Sequence, residues 1–317
     1  MKQHRCLYCY QELSIEGADL HEKCSQAFFG TPQPPIFEYG RDDMARLAKE
    51  IVVKSIAVTG VQAKLSLDIE KNPNDPATTR FTIVGLWGGY ILKPPTDQFP
   101  FLPENEDLTM HLAAIFGIET AQHTLIRLTT GELAYLTRRF DRFEKGKLAL
   151  EDMCQLTETL TEDKYRSSME RVGKHIARYA TAPVLDMVHF LELSIFCFLT
   201  GNADMHLKNF SLLTTVDREI KLSPAYDLVS TRIALPEDLE EMALTINARK
   251  NKLKKNDFLM MAKTIGINEK AARNAFTRLE KSLPAAIEFI SISFLPKEMK
   301  EQYRAMITEF ATRLEMM

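Results

Sequence analysis

The sequence contains no apolar run long enough to cross a lipid bilayer, and this excludes a membrane-spanning helix. The longest apolar stretch, residues 190–200, contains Glu192 and has about half of the roughly 20 residues that such a helix needs. The first residues, MKQHRCLYCYQEL, lack the apolar core of a signal peptide. We therefore expect a cytoplasmic protein with no membrane partner.

An excess of positive charge is also absent. The 40 basic and 43 acidic residues leave a net charge of −3, which gives no overall basic field to steer the chain onto nucleic acid. Cysteine is scarce, with five in 317 residues, and the odd count is typical of a reduced intracellular protein rather than a disulfide framework. The chain has no internal repeat and no low-complexity tract.

The length predicts about two domains, at roughly 150 residues each. Strand-like segments (LSLDI, FTIVGL and GGYILKPP) and one helix (ENEDLTMHLAAIFGI) come first, and a hairpin (TLIRL to LAYLTRRFD) ends this region. Helices then dominate, interrupted by a second hairpin. The sequence thus predicts an α+β, two-lobed fold. We divide it into a Cys/His-containing extension and linker over 1–40, a β-rich lobe over 41–145, and a mainly helical lobe over 146–317.

The segment GNADMHLKNFSLL carries the strongest catalytic pattern. Asp204 and Asn209 are separated by four residues, as in phosphotransfer loops, where the Asp accepts a hydroxyl proton and the Asn ligates a metal ion on the phosphates. Lys208 lies between them and would neutralise charge on the transferred group. Asp227 follows in SPAYDL, where such enzymes place a second metal-binding carboxylate. The alternative is that these residues only form turns and cap a helix.

Two weaker features precede this loop in the expected order. Gly60 lies in AVTGVQAKLSL between two strand-like stretches, where backbone amides would cover phosphates. Lys93 ends the apolar strand YILK, from which its ammonium group would reach the phosphates. Glu104 and Glu106 open the next helix, and either would pair with Lys93, as helix-borne carboxylates do in kinases. Each feature also has a structural explanation, as a strand-end lysine or as acidic residues at a helix amino terminus.

Several segments together resemble the HipA family of toxin kinases, the serine/threonine kinases of type II toxin–antitoxin modules. The matching segments are GVQAKLSL, ILKPP, LPENEDLTMHLA, LTRRFDR, GNADMHLKNFS and LSPAYDLVST. They run in order from about residue 50 to residue 300. The resemblance implies a two-lobed kinase-like fold, the use of ATP with Mg²⁺, and phosphorylation of a protein serine or threonine.

The resemblance also implies roles for individual residues. Asp204 would be the catalytic base, His206 and Lys208 would belong to the catalytic loop, and Asn209 and Asp227 would ligate Mg²⁺. The residues expected to bind ATP are Gly60, Val61, Gln62, Lys93, Arg139, Phe140, Asp141, Asn209 and Asp227. Among these, the RRFDR segment would provide the contact with adenine.

The chain departs from the family pattern in two places. The additional amino-terminal subdomain of full-length members is not recognisable, so the chain is most similar to the short HipT-type kinases, in which a separate small protein supplies that part. The regulatory serine of the family falls at Ala57 by the usual count from Gly60. Ser55 and Thr59 flank that position, and either would be the autophosphorylation site, with Ser55 preferred. Phosphorylation there would add negative charge beside the ATP phosphates.

The family also implies partners. These are a HipB-like helix-turn-helix antitoxin, a small HipS-like protein, and a protein substrate of the aminoacyl-tRNA synthetase class. DNA would be contacted only through the antitoxin. Two other functions stay open, namely a non-catalytic nucleotide-binding module with a kinase-like fold and a small-molecule phosphotransferase, since antibiotic and sugar kinases share the same Asp-to-Asn spacing.

A second cluster of chemically active residues lies at the amino terminus. Two residues separate Cys6 from Cys9, and two separate His21 from Cys24, which is the spacing of a Cys₃His zinc knuckle. Three thiolates and one imidazole suit tetrahedral Zn²⁺, and a bound ion would stabilise a segment this short. The alternative is a small apolar hook with free thiols that packs on the β-rich lobe.

Overall fold

The structure is a computed structural model that describes residues 4–43, 46, 64–70, 79–84, 88–143 and 146–317. The chain forms two compact units. Unit one comprises residues 1–107 and 121–140, and unit two comprises residues 108–120 and 141–317. The chain therefore passes from one unit to the other three times.

Unit one is built on a five-stranded antiparallel sheet with the strand order β2-β1-β3-β5-β4. Its elements are α1 (Glu22–Phe29), β1 (Leu65–Glu70), β2 (Arg80–Ile83), β3 (Tyr90–Lys93), the first part of α2 (Leu102–Ile115), β4 (His123–Arg127) and β5 (Leu133–Arg138). The predicted strands and the predicted hairpin are confirmed.

The amino-terminal segment packs against this sheet. Helix α1 buries Cys24 and Phe28, four residues apart, and Phe29 beside them. The Phe28 ring lies 5.8 Å from the ring of Tyr90, and the Phe29 ring lies 5.7 Å from that of Phe81, so strands β2 and β3 provide the facing surface. The sequence did not predict α1, because its helical pattern of apolar residues covers only two turns and is followed by a proline-rich segment.

Helix α2 buries charged and polar side chains where its first turns lie on the sheet. Asp107 is completely buried and accepts a 2.6 Å hydrogen bond from the hydroxyl group of Tyr10. Its other oxygen lies 2.7 Å from Nδ1 of His123 on β4. Since a buried carboxylate is costly unless it is hydrogen-bonded, these contacts join α2, the amino-terminal segment and the sheet.

Unit two is mainly helical. Its elements are the last part of α2, β6 (Arg142–Phe143), β7 (Gly146–Lys147), β8 (Leu150–Asp152), α3 (Met153–Leu156), α4 (Met169–Tyr179), α5 (Pro183–Leu199), β9 (Ser211–Thr214), β10 (Ile220–Leu222), α6 (Thr231–Ala234), α7 (Lys255–Thr264), α8 (Glu269–Ser291) and α9 (Lys297–Arg313). Strands β8, β9 and β10 form a small antiparallel sheet, and β6 pairs with β7. The predicted helical character and the second hairpin, β9–β10, are confirmed.

Helix α5 forms the core of unit two. It starts with Pro183 at its first turn, where the missing N–H costs nothing, and its second half is buried on nearly every side. Phe198 stacks on Phe310 of α9 with ring centroids 4.9 Å apart and contacts Phe258 of α7 edge-on at 5.5 Å. Among the described residues, no helix combines the length and apolar character that a bilayer crossing requires. The long apolar stretch of the sequence is thus the interior helix around which the others pack.

The hydrogen bond from Tyr10 to Asp107 gives a stability prediction. Tyr10→Phe should lower the free energy of unfolding by about 1–3 kcal/mol, because it removes a buried donor from a carboxylate. Tyr8→Phe is the matched control, since the described residues give the Tyr8 hydroxyl no hydrogen-bond partner, and it should change stability by less than about 0.5 kcal/mol. Urea unfolding measures both, and equal effects would contradict the assignment.

Candidate active site

The loop that follows α5 is held tightly at its start. Gly201 has a φ of 58°, and a Cβ atom there would lie 2.7 Å from the sulfur of Met306 and 2.8 Å from Cβ of Arg232. Only glycine fits this conformation and this spacing. The Thr231 hydroxyl donates to the Gly201 carbonyl at 3.0 Å and accepts from the Ala203 amide at 2.9 Å, which fixes the path of the loop.

Asp204 and Asn209 close this loop on itself. Nδ2 of Asn209 donates to the backbone carbonyl of Asp204 at 2.9 Å, and the His206 amide donates to the same oxygen at 2.8 Å. The side-chain oxygen of Asn202 accepts from the Asp204 amide at 3.1 Å. The spacing of four residues therefore brings Asp204 and Asn209 together, as the sequence predicts. Since the amide nitrogen of Asn209 is engaged, its carbonyl oxygen is the atom that remains to bind a cation.

The side chain of Asp204 has a partner that the sequence did not reveal. Tyr165 donates its hydroxyl to Oδ1 of Asp204 at 2.5 Å, although 39 positions separate them in sequence. Burial, this hydrogen bond and the charges of Asp204 and Asp227 all raise the pKa of Tyr165. The phenol is thus neutral and acts as a donor to the carboxylate.

His206 packs against the same tyrosine. Its ring meets that of Tyr165 edge-on, with centroids 4.9 Å apart, and the side chain is buried. Burial lowers the pKa of His206, while the negative charges of Asp204 and Asp227 partly oppose this effect. His206 is therefore neutral, and its Nδ1 has no hydrogen-bond partner among the described residues.

Lys208 is fixed by two contacts in unit two. Its ammonium group forms an ion pair with Asp152 at 2.9 Å, and its backbone carbonyl accepts from the Tyr226 hydroxyl at 2.8 Å. Asp152 also caps α3 through the Gln155 amide, so Lys208 is tied to the start of that helix. The Tyr226 hydroxyl lies 2.6 Å from the hydroxyl of Ser211 on β9.

Asp227 follows Tyr226 and adopts an unusual backbone conformation. Its φ of 60° is in the left-handed region, which is uncommon for a residue with a side chain and occurs often at functional sites. The charges of Asp204 and Asp227 both raise the pKa of Tyr165, and both oppose the lowering of the pKa of His206 by burial. Asp204, Asn209 and Asp227 all belong to unit two, and each carries a side-chain oxygen.

Unit one contains the predicted lysine in a buried ion pair. Lys93 at the end of β3 pairs with Glu106 of α2, and the two side chains are only 5% and 3% exposed. The ring of Tyr135 on β5 lies 5.4 Å from the ammonium nitrogen and adds a cation–π contact. Of the two glutamates that the sequence offered, Glu106 is therefore the partner.

Glu104, the other candidate, has a different environment. Burial raises the pKa of this carboxyl group to about 7, and the charges of Asp107 and Glu132 add to the shift. No described cation neutralises it through a salt bridge. Glu104 is buried, as are the three residues that follow it on α2.

These residues suit Mg²⁺ and ATP by their chemistry. Magnesium prefers oxygen ligands, and an aspartate carboxylate with an asparagine carbonyl provides them. A lysine whose charge is held in place by a buried glutamate provides a fixed positive group for phosphate oxygens.

The remaining predicted nucleotide-binding residues fall into two groups. Arg139, Phe140 and Asp141 lie where the chain passes from unit one to unit two, and the boundary falls after Phe140. The Arg139 amide donates to the Gly89 carbonyl at 2.8 Å, and the Asp141 carboxylate accepts from Arg142 at 2.5 Å. The phosphate-loop residues Gly60, Val61 and Gln62 and the candidate phosphorylation sites Ser55 and Thr59 lie outside the described residues.

The amino-terminal cysteines and histidine come together as their spacing predicts. One ligand atom from each of Cys6, Cys9, His21 and Cys24 lies within 4.8 Å of every other. Burial, together with the neighbouring thiols of Cys6 and Cys9, raises the pKa of Cys24 to about 12. All four residues belong to unit one.

Comparison with protein families identifies one match that covers most of the chain. The model of the HipA-like C-terminal domain matches residues 56–287. A curated relative from Sinorhizobium fredii, named "Putative kinase Y4dM", is 32% identical over 227 residues, which are 68% of this chain and 54% of that protein. The serine/threonine-protein kinase toxin HipA of Shewanella oneidensis is 26% identical over 82% of this chain and 62% of that protein. The chain spans about half the length of the first of these curated relatives.

Solved structures show the same fold. Shewanella oneidensis HipA, in a complex with HipB and operator DNA, superposes with a TM-score of 0.66 at 22% identity, over 84% of this chain and 71% of that one. The Helicobacter pylori proinflammatory kinase CtkA superposes with a TM-score of 0.54 at 18% identity, over 78% of this chain and 93% of that one. The kinase-like fold that the sequence predicts is therefore confirmed.

The buried ion pair gives a second stability prediction. Lys93→Met should lower the free energy of unfolding by about 3–5 kcal/mol, because it leaves the Glu106 carboxylate buried without this cation. The double variant Lys93→Met/Glu106→Leu should recover most of that loss, since it removes both charges. Urea unfolding measures the two variants beside the wild type. A double variant that is less stable than the single one would contradict the account.

Proposed function

This chain belongs to the HipA-like C-terminal domain family, and we propose that it is a serine/threonine protein kinase that acts as the toxin of a type II toxin–antitoxin system. The observation that carries the proposal is the closed loop in which Asn209 binds the backbone of Asp204. This arrangement holds a carboxylate and a cation ligand at a fixed spacing, as phosphoryl transfer requires. A protein that only bound nucleotide would have no use for the carboxylate.

The residues of the chain divide the chemistry between them. Mg²⁺, held by Asn209 and Asp227, would neutralise charge on the phosphates of ATP, and Lys93 would bind their oxygens. Asp204 would orient the acceptor hydroxyl, whose oxygen forms a bond to the γ-phosphorus while the bond to the leaving oxygen of ADP breaks. The hydroxyl proton passes to Asp204. Tyr165 occupies Oδ1 of Asp204 at 2.5 Å, so an acceptor hydroxyl would replace this donor or use the second oxygen.

His206 would support the conformation of the catalytic loop and would not contact the phosphate itself. Its lowered pKa keeps the imidazole neutral near neutral pH, so it adds no positive charge beside Asp204. Its ring supports Tyr165 from the side. Lys208, whose ammonium group is paired with Asp152, would be available to the transferred phosphoryl group only when that pair opens.

The proposed biological setting follows from the family. A HipB-like antitoxin is the proposed partner, as HipB accompanies HipA in the Shewanella oneidensis complex. A small HipS-like protein is a second proposed partner, and DNA would be reached only through the antitoxin. The proposed acceptor is an aminoacyl-tRNA synthetase, which would place the reaction in the cytoplasm. Phosphorylation of that enzyme would stall translation.

Substitution of the proposed base tests the function directly. Asp204→Asn should lower phosphoryl transfer by about 10²–10⁴-fold, since the general base is lost. ATP affinity should stay close to that of the wild type, because the phosphate ligands are retained. Protein-bound phosphate from γ-labelled ATP with Mg²⁺ measures transfer, and calorimetry measures ATP binding.

Asp217→Asn is the matched control, because Asp217 is an exposed aspartate in the turn between β9 and β10. It should leave both measurements unchanged. Full transfer by Asp204→Asn would exclude the proposed base. Label that enters an added small alcohol instead of protein would favour the small-molecule phosphotransferase, and ATP binding without any transfer would favour the binding module.

Autophosphorylation is proposed at Ser55 or Thr59, with Ser55 preferred. After incubation with Mg²⁺ and ATP, the intact mass should increase by one phosphate, and peptide mapping should find it on one of these two residues. Transfer activity should fall as this modification accumulates, because the added charge repels the ATP phosphates. Asp204→Asn, treated in the same way, should stay unmodified. Unmodified Ser55 and Thr59 in active protein would overturn this part of the proposal.

A further inference from the structure

The amino-terminal cluster of thiols and imidazole has the dimensions of a metal site. The sulfur of Cys9 lies 3.4 Å from Nδ1 of His21, and the sulfur of Cys24 lies 3.7 Å from the same nitrogen. In a tetrahedral zinc site, bond lengths of about 2.3 Å to sulfur and 2.0–2.1 Å to nitrogen separate these ligand atoms by about 3.6 Å. With Cys6, the four ligand atoms all lie within 4.8 Å of one another. The cluster therefore has the size that one ion would require.

The imidazole of His21 is oriented as a ligand. Its Nε2 lies 3.0 Å from the backbone carbonyl of Glu12, and because a carbonyl only accepts, Nε2 carries the proton of the neutral ring. Nδ1 then presents its lone pair towards Cys9 and Cys24. A hydrogen bond from the outer nitrogen to a backbone carbonyl is the usual support of a zinc-bound histidine.

The local fold fixes the other ligands. Cys6 and Cys9 flank a tight turn that is closed by a 2.9 Å hydrogen bond from the Tyr10 amide to the Cys6 carbonyl, and Tyr10 has a φ of 62°. His21 is the residue immediately before α1, and Cys24 lies in the first turn of that helix. The turn therefore provides two ligands and the start of the helix provides the other two, and the thiols of Cys6 and Cys24 are buried.

We propose that Cys6, Cys9, His21 and Cys24 bind one structural Zn²⁺ ion. All four positions are occupied by protein ligands, which is typical of a structural rather than a catalytic site. Binding converts the three thiols to thiolates and releases their protons to solvent. A disulfide would join two of the three cysteines in this cluster and leave the third thiol and the imidazole without a role. All five cysteines of the chain are free thiols in the structure.

The site would stabilise the amino-terminal segment on the sheet of unit one. Cys6 and Cys24 belong to the same apolar cluster as Phe28 and Tyr90, and Tyr10, next to the cysteine turn, donates to Asp107 of α2. The ion would therefore fix a segment that packs on the strand carrying Lys93. This proposal does not depend on the kinase activity, because it concerns only metal binding and stability.

Metal analysis of the full chain tests the proposal. Wild-type protein, incubated with Zn²⁺ and then passed through a desalting column, should retain about one zinc ion per chain. Cys24→Ser should retain almost none. Cys154→Ser is the matched control, because Cys154 is a buried thiol in unit two, and it should retain zinc like the wild type. Equal zinc content in Cys24→Ser and in the wild type, or no zinc in the wild type, would overturn the proposal.

Two measurements on the wild type test the zinc site without the Cys24→Ser variant, and so they remain valid if that variant fails to fold. Cobalt in place of zinc should give the visible absorption bands of a tetrahedral thiolate complex, and added zinc should abolish them. A chelator should speed alkylation of Cys9, the most exposed of the three thiols, while Cys197 in the core of unit two stays unreactive with or without it. Absence of the cobalt bands, or a Cys9 alkylation rate that does not change with zinc, would contradict the site.

Discussion

The buried ion pair between Lys93 and Glu106 is the constraint on which the arrangement of unit one depends. Two opposite charges removed from water are tolerated only while each has its partner, so strand β3 and helix α2 must keep one fixed register. Asp107, the next residue on α2, is bound by Tyr10 and His123, which connects the amino-terminal segment and strand β4 to the same helix. The lysine that the proposed function assigns to ATP is therefore held by Glu106 of α2 and by the ring of Tyr135 on β5.

In unit two, a polar loop follows the apolar helix α5 and must be fixed in place by its own contacts. Gly201 allows the chain to leave α5 in a left-handed conformation beside Met306, and Asn209 then closes the loop onto Asp204. Asp227, in the same unit, adopts a left-handed backbone conformation, whose cost in free energy the rest of the fold must offset. The Asp204 carboxylate, the neutral imidazole of His206 and the neutral phenol of Tyr165 thus lie together.

Local patterns could be predicted from the sequence, and contacts that depend on tertiary packing could not. The spacing of Asp204 and Asn209 predicted their proximity because both belong to one short loop, and the same holds for the knuckle spacing at the amino terminus. Tyr165 was not predicted as the partner of Asp204, since no pattern links residues 39 positions apart. The choice between Glu104 and Glu106 also stayed open, because the rotation of α2 against the sheet decides it. Helix α1 was missed since its burial depends on a sheet formed by later residues.

The most direct test of the account is a crystal structure of the chain with Mg²⁺ and a non-hydrolysable ATP analogue. The account predicts a magnesium ion about 2.0–2.1 Å from the Asn209 carbonyl oxygen and from an oxygen of Asp227. It also predicts the Lys93 ammonium group at hydrogen-bond distance from the phosphates, with the γ-phosphate next to Asp204. A nucleotide bound away from these four residues, or Asp204 turned away from the γ-phosphate, would contradict it.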